Sequence, residues 1–306
     1  MMSTAVGIAQ LVVAVALVVW AADLFVDGLL GVGRRLRIAP FVLTVALSGF
    51  ETENLAAGIA SNAKGLPDAA AGTVLGGVVF LALGVAGLGA LIVPLRVDLP
   101  RSFAGWTSIA PLPLLAVGLD GRISRPEGAL LIGWSAIALV GLARTGRDLL
   151  AGEDEQPPRR PTVRLLVGLG VLTGGGALLG EGLKTTVNQL GISQTLLGNT
   201  ALAASVEAEE LARVAVPARR GRPELGLGNI AGTLVHFAAL NAGVIALVKP
   251  LALGHDTTHF YLPAAAASPA ILAGLLVVRR RLGRPEGAAL LALYGGYIAA
   301  AISVSG

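Results

Sequence analysis

Cysteine is absent from the 306 residues. Its absence excludes disulfides, thiolate metal sites and cysteine nucleophiles. Charge is scarce as well: Asp, Glu, Lys and Arg together make up 14% of the chain, against roughly 25% in a soluble domain. No Lys or Arg precedes the first apolar stretch, so a cleaved signal peptide is not expected. Whole stretches do without charge. Leu11–Phe25 holds one acid and Leu262–Val278 holds none. Apolar runs of this kind signal helices that cross a membrane. The 54% hydrophobic content and the 42 glycines suit closely packed membrane helices. A net charge of +4 first suggests a nucleic-acid groove. The bases fall between apolar runs rather than on one element, and this sets nucleic acid aside as a partner.

The apolar runs number ten, at about 4–30, 38–62, 70–94, 103–119, 127–146, 163–186, 192–216, 225–248, 259–279 and 285–304. Pro111 and Pro113 make the fourth short and predict a kink there. The polar stretch "GEDEQPPRRP" divides the runs into two sets of five. The expected fold is an all-α membrane protein with ten transmembrane helices in two inverted five-helix repeats. Residues 1–150 form the first repeat, 151–162 a cytoplasmic linker, and 163–306 the second repeat. Basic residues orient the bundle. With the N-terminus outside, the cytoplasmic turns carry Arg34, Arg35, Arg37, Arg96, Arg101, Arg144, Arg147, Arg159, Arg160, Arg164, Arg219, Arg220, Arg222, Arg279, Arg280, Arg281 and Arg284. Lys64, Arg122, Arg125, Lys184 and Lys249 remain on the other side. The positive-inside rule then places both termini outside a cell membrane that the chain crosses many times.

The halves match at a constant spacing. "ETENLAAGIASNAKGLPDAAAGTVLGG" begins at Glu51 and "EAEELARVAVPARRGRPELGLGNIAGT" at Glu207. Glu51 pairs with Glu207, Glu53 with Glu209, Lys64-Gly65 with Arg220-Gly221, Pro67 with Pro223, Gly72 with Gly228, and Gly76 with Gly232. An odd number of crossings per half makes the duplicated halves enter the membrane from opposite sides. Inverted repeats around polar or broken helices are how many secondary transporters are built. Two similar halves that exchange conformations supply matched inward-open and outward-open states.

A charged carboxylate at membrane depth is costly and usually functional. Glu51, Glu53, Glu207, Glu209 and Glu210 fall in the paired stretches, each flanked by apolar residues. Glu51 and Asn54 share a helical face, as do Glu207 and Glu210. Glu53 and Glu209 join them only if the helix unwinds; otherwise they serve a neighbouring cavity. Oxygen-only sites suit hard cations such as Ca²⁺, Mg²⁺, Na⁺ or H⁺. Crowded carboxylates raise one another's pKa, so such a site is able to hold protons when the metal leaves. One segment later, Gly72, Gly76, Gly77, Gly228 and Gly232 suit close helix crossing. Asn229 is a candidate ligand, and its counterpart Thr73 offers one hydroxyl. Asp23 and Asp27 share a face of the first segment, with Glu181 similarly placed in the sixth. They suit an entry path, caps of neighbouring segments, or a headgroup position. His236 reads as a packed, hydrogen-bonded side chain with a minor proton role open.

These residues resemble the cation/Ca²⁺ exchanger superfamily, whose simplest members are prokaryotic sodium/calcium exchangers. "KGLPDAAAGTVLGG", "RRGRPELGLGNIAGT" and "LGISQTLLGN" carry the resemblance, which spans nearly the whole chain. The family's alpha-repeat has the form G-T-S-x-P-E, then a basic-Gly turn, then G-N-x-x-G-S-N. Its Pro-Glu falls on Glu53-Asn54 and on Glu209-Glu210 here. Glu210 thus inherits one central metal-binding glutamate, while Asn54 stands where the other would be. Only Gly228 and Asn229 keep the Gly-Asn opening of the later motif. The resemblance implies a secondary active antiporter that exchanges a divalent cation, Ca²⁺ first, against Na⁺ or H⁺ by alternating access. Taken with the buried acids read above, the expected metal set is Glu51, Glu53, Asn54, Glu207, Glu209, Glu210, Thr73 and Asn229. No cofactor and no catalytic residue is implied. The partners are the lipid bilayer and inorganic cations, with a monomer as the expected state. Monovalent cation/proton exchange and Mg²⁺ or Mn²⁺ exchange remain open. An intramembrane enzyme lacks a nucleophile and a headgroup clamp.

Overall fold

The computed structural model describes residues 2–49, 52–96, 99–147, 158–189 and 208–304. Among these, seven helical runs are long and apolar enough to cross a membrane: Ala9–Leu36, Pro67–Ile92, Arg125–Thr145, Pro161–Leu179, Pro223–Val248, Thr257–Arg279 and Arg284–Val304. They lie in an all-helical fold. In chain order the α-helices are α1 (Met2–Leu36), α2 (Pro40–Leu47), α3 (Thr52–Ala63), α4 (Pro67–Val79), α5 (Ala86–Ile92), α6 (Arg101–Ile109) and α7 (Leu112–Gly118). They continue with α8 (Arg125–Thr145), α9 (Pro161–Gln189), α10 (Ala208–Arg219), α11 (Pro223–Val235), α12 (Ala242–Val248), α13 (Leu262–Arg279) and α14 (Arg284–Val304).

The remaining apolar segments are not single rods. The second is interrupted after Leu47, where Ser48 and Gly49 leave the helix. The fourth breaks at Ala110 and Pro111 into α6 and α7. A proline there offers no N–H and its ring clashes with the preceding turn. The Trp134 indole donates 3.0 Å to the Ala110 carbonyl at this break. The seventh segment is described only from Ala208 onward, in α10.

The repeat seen in sequence is repeated in the helices. α3 and α10 end 156 residues apart, and α4 and α11, and α5 and α12, each begin and end at that spacing. A π-helical turn follows α4 at Phe80–Val85 and another follows α11 at His236–Asn241, at the same spacing. Gly65 and Gly221 end α3 and α10 with φ of 80° and 74°. Only glycine takes this left-handed conformation without a steric cost. Pro67 and Pro223 then open the next helix, where a missing N–H leaves no bond unmade. Past the strand Leu251–Ala252 the spacing becomes 159, as Arg125–Thr145 against Arg284–Val304 shows.

Two short ladders tie the halves together. Leu95–Arg96 pairs antiparallel with Arg281–Leu282, and Arg122–Ile123 with Leu251–Ala252. Glycine contacts follow the same reciprocal pattern. A Cβ on Gly128 would stand 2.7 Å from the Gly243 carbonyl, and one on Gly243 would stand 2.6 Å from the Gly128 carbonyl. Gly87 and Gly287 face each other likewise, at 3.0 and 2.7 Å. Small residues here let helix backbones approach closely. α1 and α9 run antiparallel along their length: Gly168 meets Phe25, and Gly175 meets Val18, with 2.6 Å and 2.8 Å left for any Cβ.

α11 lies innermost. Every residue from Glu224 to Val235 is buried, as expected of a helix surrounded by other helices. α8 and α14 lie toward the outside and expose Leu130, Ile137, Val140, Leu293 and Ile302. Lipid covers such a belt; a monomer in water would not carry one.

Candidate functional site

The interrupted second segment faces α11. α2 ends at Leu47, and the Ser48 carbonyl points out of the helix toward the other half. Thr233 Oγ1 donates to it at 3.0 Å. This approach needs glycine on both sides. A Cβ on Gly232 would run into Ser48 Oγ and stand 2.7 Å from the Val45 carbonyl. A Cβ on Gly49 would run into the His236 ring. Gly228 meets Phe41, with 2.9 Å available. The glycines of α11 are therefore packing residues that bring the first half's freed backbone to the second half's side chains. Their counterparts Gly72 and Gly76 have no atom within 4 Å among the described residues. The segment that would answer to Val45–Ser48 at the repeat spacing, 201–204, lies outside the described residues.

Glu209 and Glu210 stand beside this contact, in the first described turn of α10. Both are buried, at 1% and 0% exposure. Asn229 Nδ2 donates to Glu210 Oε2, and Thr233 Oγ1 lies 3.4 Å from the same oxygen. Asn229 Oδ1 is buried with no hydrogen-bond partner among the described residues. Rotating that amide would present its carbonyl to whatever occupies the site. His236 is packed rather than poised: its Nδ1–H donates to the Gly232 carbonyl at 2.8 Å, one turn along α11.

Arg213 was not anticipated from the sequence. It is 2% exposed and sits among the acids. Nη1 is 2.7 Å from Glu210 Oε1, and Nη2 is 3.4 Å from Glu209 Oε1. Nη1 also donates to the Ser48 carbonyl at 3.3 Å. The sequence reading crowded carboxylates here and placed no base among them; the structure puts a guanidinium within the cluster. The signal was available. Arg213 lies three and four residues after Glu210 and Glu209, the spacing at which helical side chains meet. It is also the one base that neither side of the loop count claimed.

The other predicted ligands are distributed as follows. Asn54 is half-buried in α3. Thr73 is half-buried in α4, and its hydroxyl donates 2.8 Å to the Ala70 carbonyl of its own helix. The structure does not join Thr73 to Glu210, although its counterpart Asn229 is bonded there. Glu53 lies in α3, but its side chain is outside the described residues, as is that of Glu181. Glu51 and Glu207 lie outside the described residues altogether. Among the described residues no group of three or more His, Asp or Glu side chains is placed to hold a metal. The described acids of the site are Glu209 and Glu210.

Asp23 and Asp27 clamp neighbouring helices. Asp27 pairs with Arg164 of α9 at 2.5 Å and with Arg220 at 2.7 Å. Arg220 also lies 3.8 Å from Asp23. At the other end of the bundle, Asn62 and Lys249 exchange side-chain-to-carbonyl bonds of 2.7 and 2.9 Å. Asp68 accepts from the Gly254 amide and the Thr257 hydroxyl, both at 2.8 Å.

The sequence profile described as "Sodium/calcium exchanger protein" matches residues 6–143 and again 161–303. The chain belongs to this family. CaxA of Alkalimonas amylolytica is 31% identical over 93% of this chain and 95% of its own length. Inner membrane protein YrbG of Escherichia coli is 27% identical over 95% and 94%. Among solved structures, the sodium-calcium exchanger NCX_Mj soaked with 10 mM Na⁺ and zero Ca²⁺ superposes with a TM-score of 0.80 at 22% identity. That match covers 97% of this chain and 99% of NCX_Mj. The same protein soaked with 2.5 mM Na⁺ and 0.1 mM Ca²⁺ superposes equally well, at 0.80. The exchanger is a multi-pass membrane protein and a secondary-active cation antiporter. It is a transporter, and cations are its cargo rather than a cofactor.

Proposed function

We propose that the exchanger moves a divalent cation, Ca²⁺ first, against Na⁺ or H⁺ by alternating access. One observation carries the reading. Two fully buried carboxylates from the second half, Glu209 and Glu210, stand beside a backbone carbonyl released by the interrupted helix of the first half. Carboxylate and carbonyl oxygens in a shared interior suit a hard cation. Glu210 is the central ligand. Asn229 and Thr233 support it, with Glu209 beside it. Glu51, Glu53, Asn54, Glu207 and Thr73 complete the cargo path from both halves. The names of relatives point the same way, since NCX_Mj is called a sodium-calcium exchanger.

The architecture in this reading is ten crossings in two inverted five-helix repeats, residues 1–150 and 163–306, joined by a cytoplasmic linker at 151–162. Equal element spacing and reciprocal glycine contacts support the repeat. Both termini are outside. The two ladders support the assignment of loops to sides, because each joins loops placed on the same side, and the positive-inside rule alone gives the sense of insertion. Leu95–Arg96 and Arg281–Leu282 belong to the arginine-rich face; Arg122–Ile123 and Leu251–Ala252 belong to the other.

Sealed vesicles holding the pure protein test the function. Na⁺ and proton gradients are imposed separately, and entry of labelled Ca²⁺ is followed. The expected result is Ca²⁺ uptake driven by one of the two gradients. Uptake driven by pH alone assigns H⁺ as the counter-ion. Robust Na⁺/H⁺ exchange with no Ca²⁺ movement under either gradient would replace this reading with a monovalent one, and selective Mg²⁺ or Mn²⁺ entry would move it to those ions.

A further inference from the structure

A permanently charged side chain is an unusual occupant of this interior. Guanidinium does not lose its proton at any pH the protein meets, and a cation at membrane depth is costly without partners. Arg213 is nonetheless shielded from solvent and aimed at Glu210 and Glu209. The Phe25 ring backs it, with 5.8 Å from the guanidinium carbon to the ring centre. The duplicated scaffold does not call for this charge. At the 156-residue spacing Ala57 answers to Arg213, and α3, which answers to α10, contains no basic residue. The arginine is an addition to one half only.

We propose that Arg213 is a tethered counter-cation: its guanidinium takes the place of one monovalent cation at Glu209 and Glu210, so each cycle carries one fewer counter-cation than the same site would without it. The inference rests on the reading of Glu210 as the central cargo ligand. Buried carboxylates need neutralisation in every state that traverses a low-dielectric barrier. Transported ions provide this in turn and then leave. A guanidinium 2.7 Å from Glu210 provides it continuously and cannot leave. It also takes the carboxylate lone pairs that a dehydrated Na⁺ or a proton would use. An incoming divalent cation must compete with it for Glu210, which makes Arg213 a determinant of affinity and of coupling ratio.

The test compares the full-length wild type with Arg213→Ala and Arg213→Lys in sealed vesicles. The coupling ratio is read from the counter-cation gradient at which net Ca²⁺ flux vanishes. Arg213→Ala is expected to raise the ratio by one, and Arg213→Lys, which keeps the charge, to retain the wild-type ratio. A parallel titration in detergent follows thermal unfolding against Na⁺. Arg213→Ala should be stabilised by Na⁺ at a concentration about tenfold below any that acts on the wild type, because a free cation then fills the charge left open. A merely structural arginine would alter stability without changing the ratio or creating a Na⁺ response.

An unchanged ratio in a folded Arg213→Ala overturns the inference while leaving the exchanger reading intact. Absence of Ca²⁺ flux in the wild type under either gradient overturns the exchanger reading instead, and the Na⁺ titration then decides the role of Arg213 alone. Arg213→Met preserves the stem volume and serves where the alanine variant does not fold. Failure of both to fold at every Na⁺ concentration counts against a tethered cation, since a free one should replace it.

Discussion

Glu210→Gln is expected to reduce cation exchange by at least about a hundredfold, since loss of groups that merely support a bound metal already costs 10- to 100-fold. The substitution preserves size and leaves an amide oxygen for Asn229 and Thr233, but it removes the charge. Glu210 has no exposed surface, and its oxygens meet Arg213, Asn229 and Thr233. No solvent is available to substitute for the lost carboxylate, and a hard cation depends on anionic oxygen. Asp256→Asn is the matched control. Asp256 is half-exposed beside His255, and its flux should stay within about twofold of wild type, as for surface changes away from a site. Labelled-cation uptake into vesicles at matched protein density measures both. Glu210→Gln with wild-type flux would remove Glu210 from the cargo path.

Glu210→Ala is expected to lower stability by about 3–5 kcal/mol, the range for breaking a buried ion pair from one side. It strips the closer carboxylate from Arg213 and leaves the guanidinium at the Ser48 carbonyl with Glu209 at 3.4 Å. It also removes the acceptor of the Asn229 amide, so a second buried polar group loses its partner. Adding Arg213→Ala to the same chain should recover part of the loss, because the two residues act as a unit. Thermal denaturation of the purified protein in one detergent, without added divalent cation, reads the cycle. Additive losses would mean that the pair is not energetically joined in the folded protein.

The parts legible in the sequence are those governed by local rules. Gly65-Leu66-Pro67 and Gly221-Arg222-Pro223 announce the same turn twice, because left-handed φ wants glycine and a helix start tolerates proline. That turn fixed the repeat spacing, and the helices on either side keep it. Pro111 likewise announced a kink in the fourth segment, which the structure makes a full break. The interruption after Leu47 was harder to see. It depends on Gly49 admitting the His236 ring and on Gly232 admitting Ser48, contacts between residues far apart in the chain.

At the site, sequence reasoning located Glu209, Glu210 and Asn229 by their place in the repeat, and the structure brings all three to one interior. It overlooked Arg213 because only the bases between apolar runs were put to use, for orientation, and this one falls inside a run. It also kept Thr73 in the metal set beside Asn229, as a counterpart that offers one hydroxyl instead of an amide. Side-chain chemistry separates them: a threonine hydroxyl can satisfy itself on its own helix, as it does at the Ala70 carbonyl, whereas a buried amide has a donor and an acceptor to place.

The central claim is that cargo binds at Glu210, between the interrupted helix of one half and α11 of the other. Diffraction from crystals of the full-length protein soaked in Sr²⁺, recorded for the anomalous signal of that ion, tests it most directly. The account predicts a peak within roughly 3 Å of a Glu210 carboxylate oxygen, with Asn229 or the Ser48 carbonyl in the same shell. A sole peak among the exposed acids of the loops, with Glu210 still closed by Arg213 and Asn229 at saturating Sr²⁺, would contradict it.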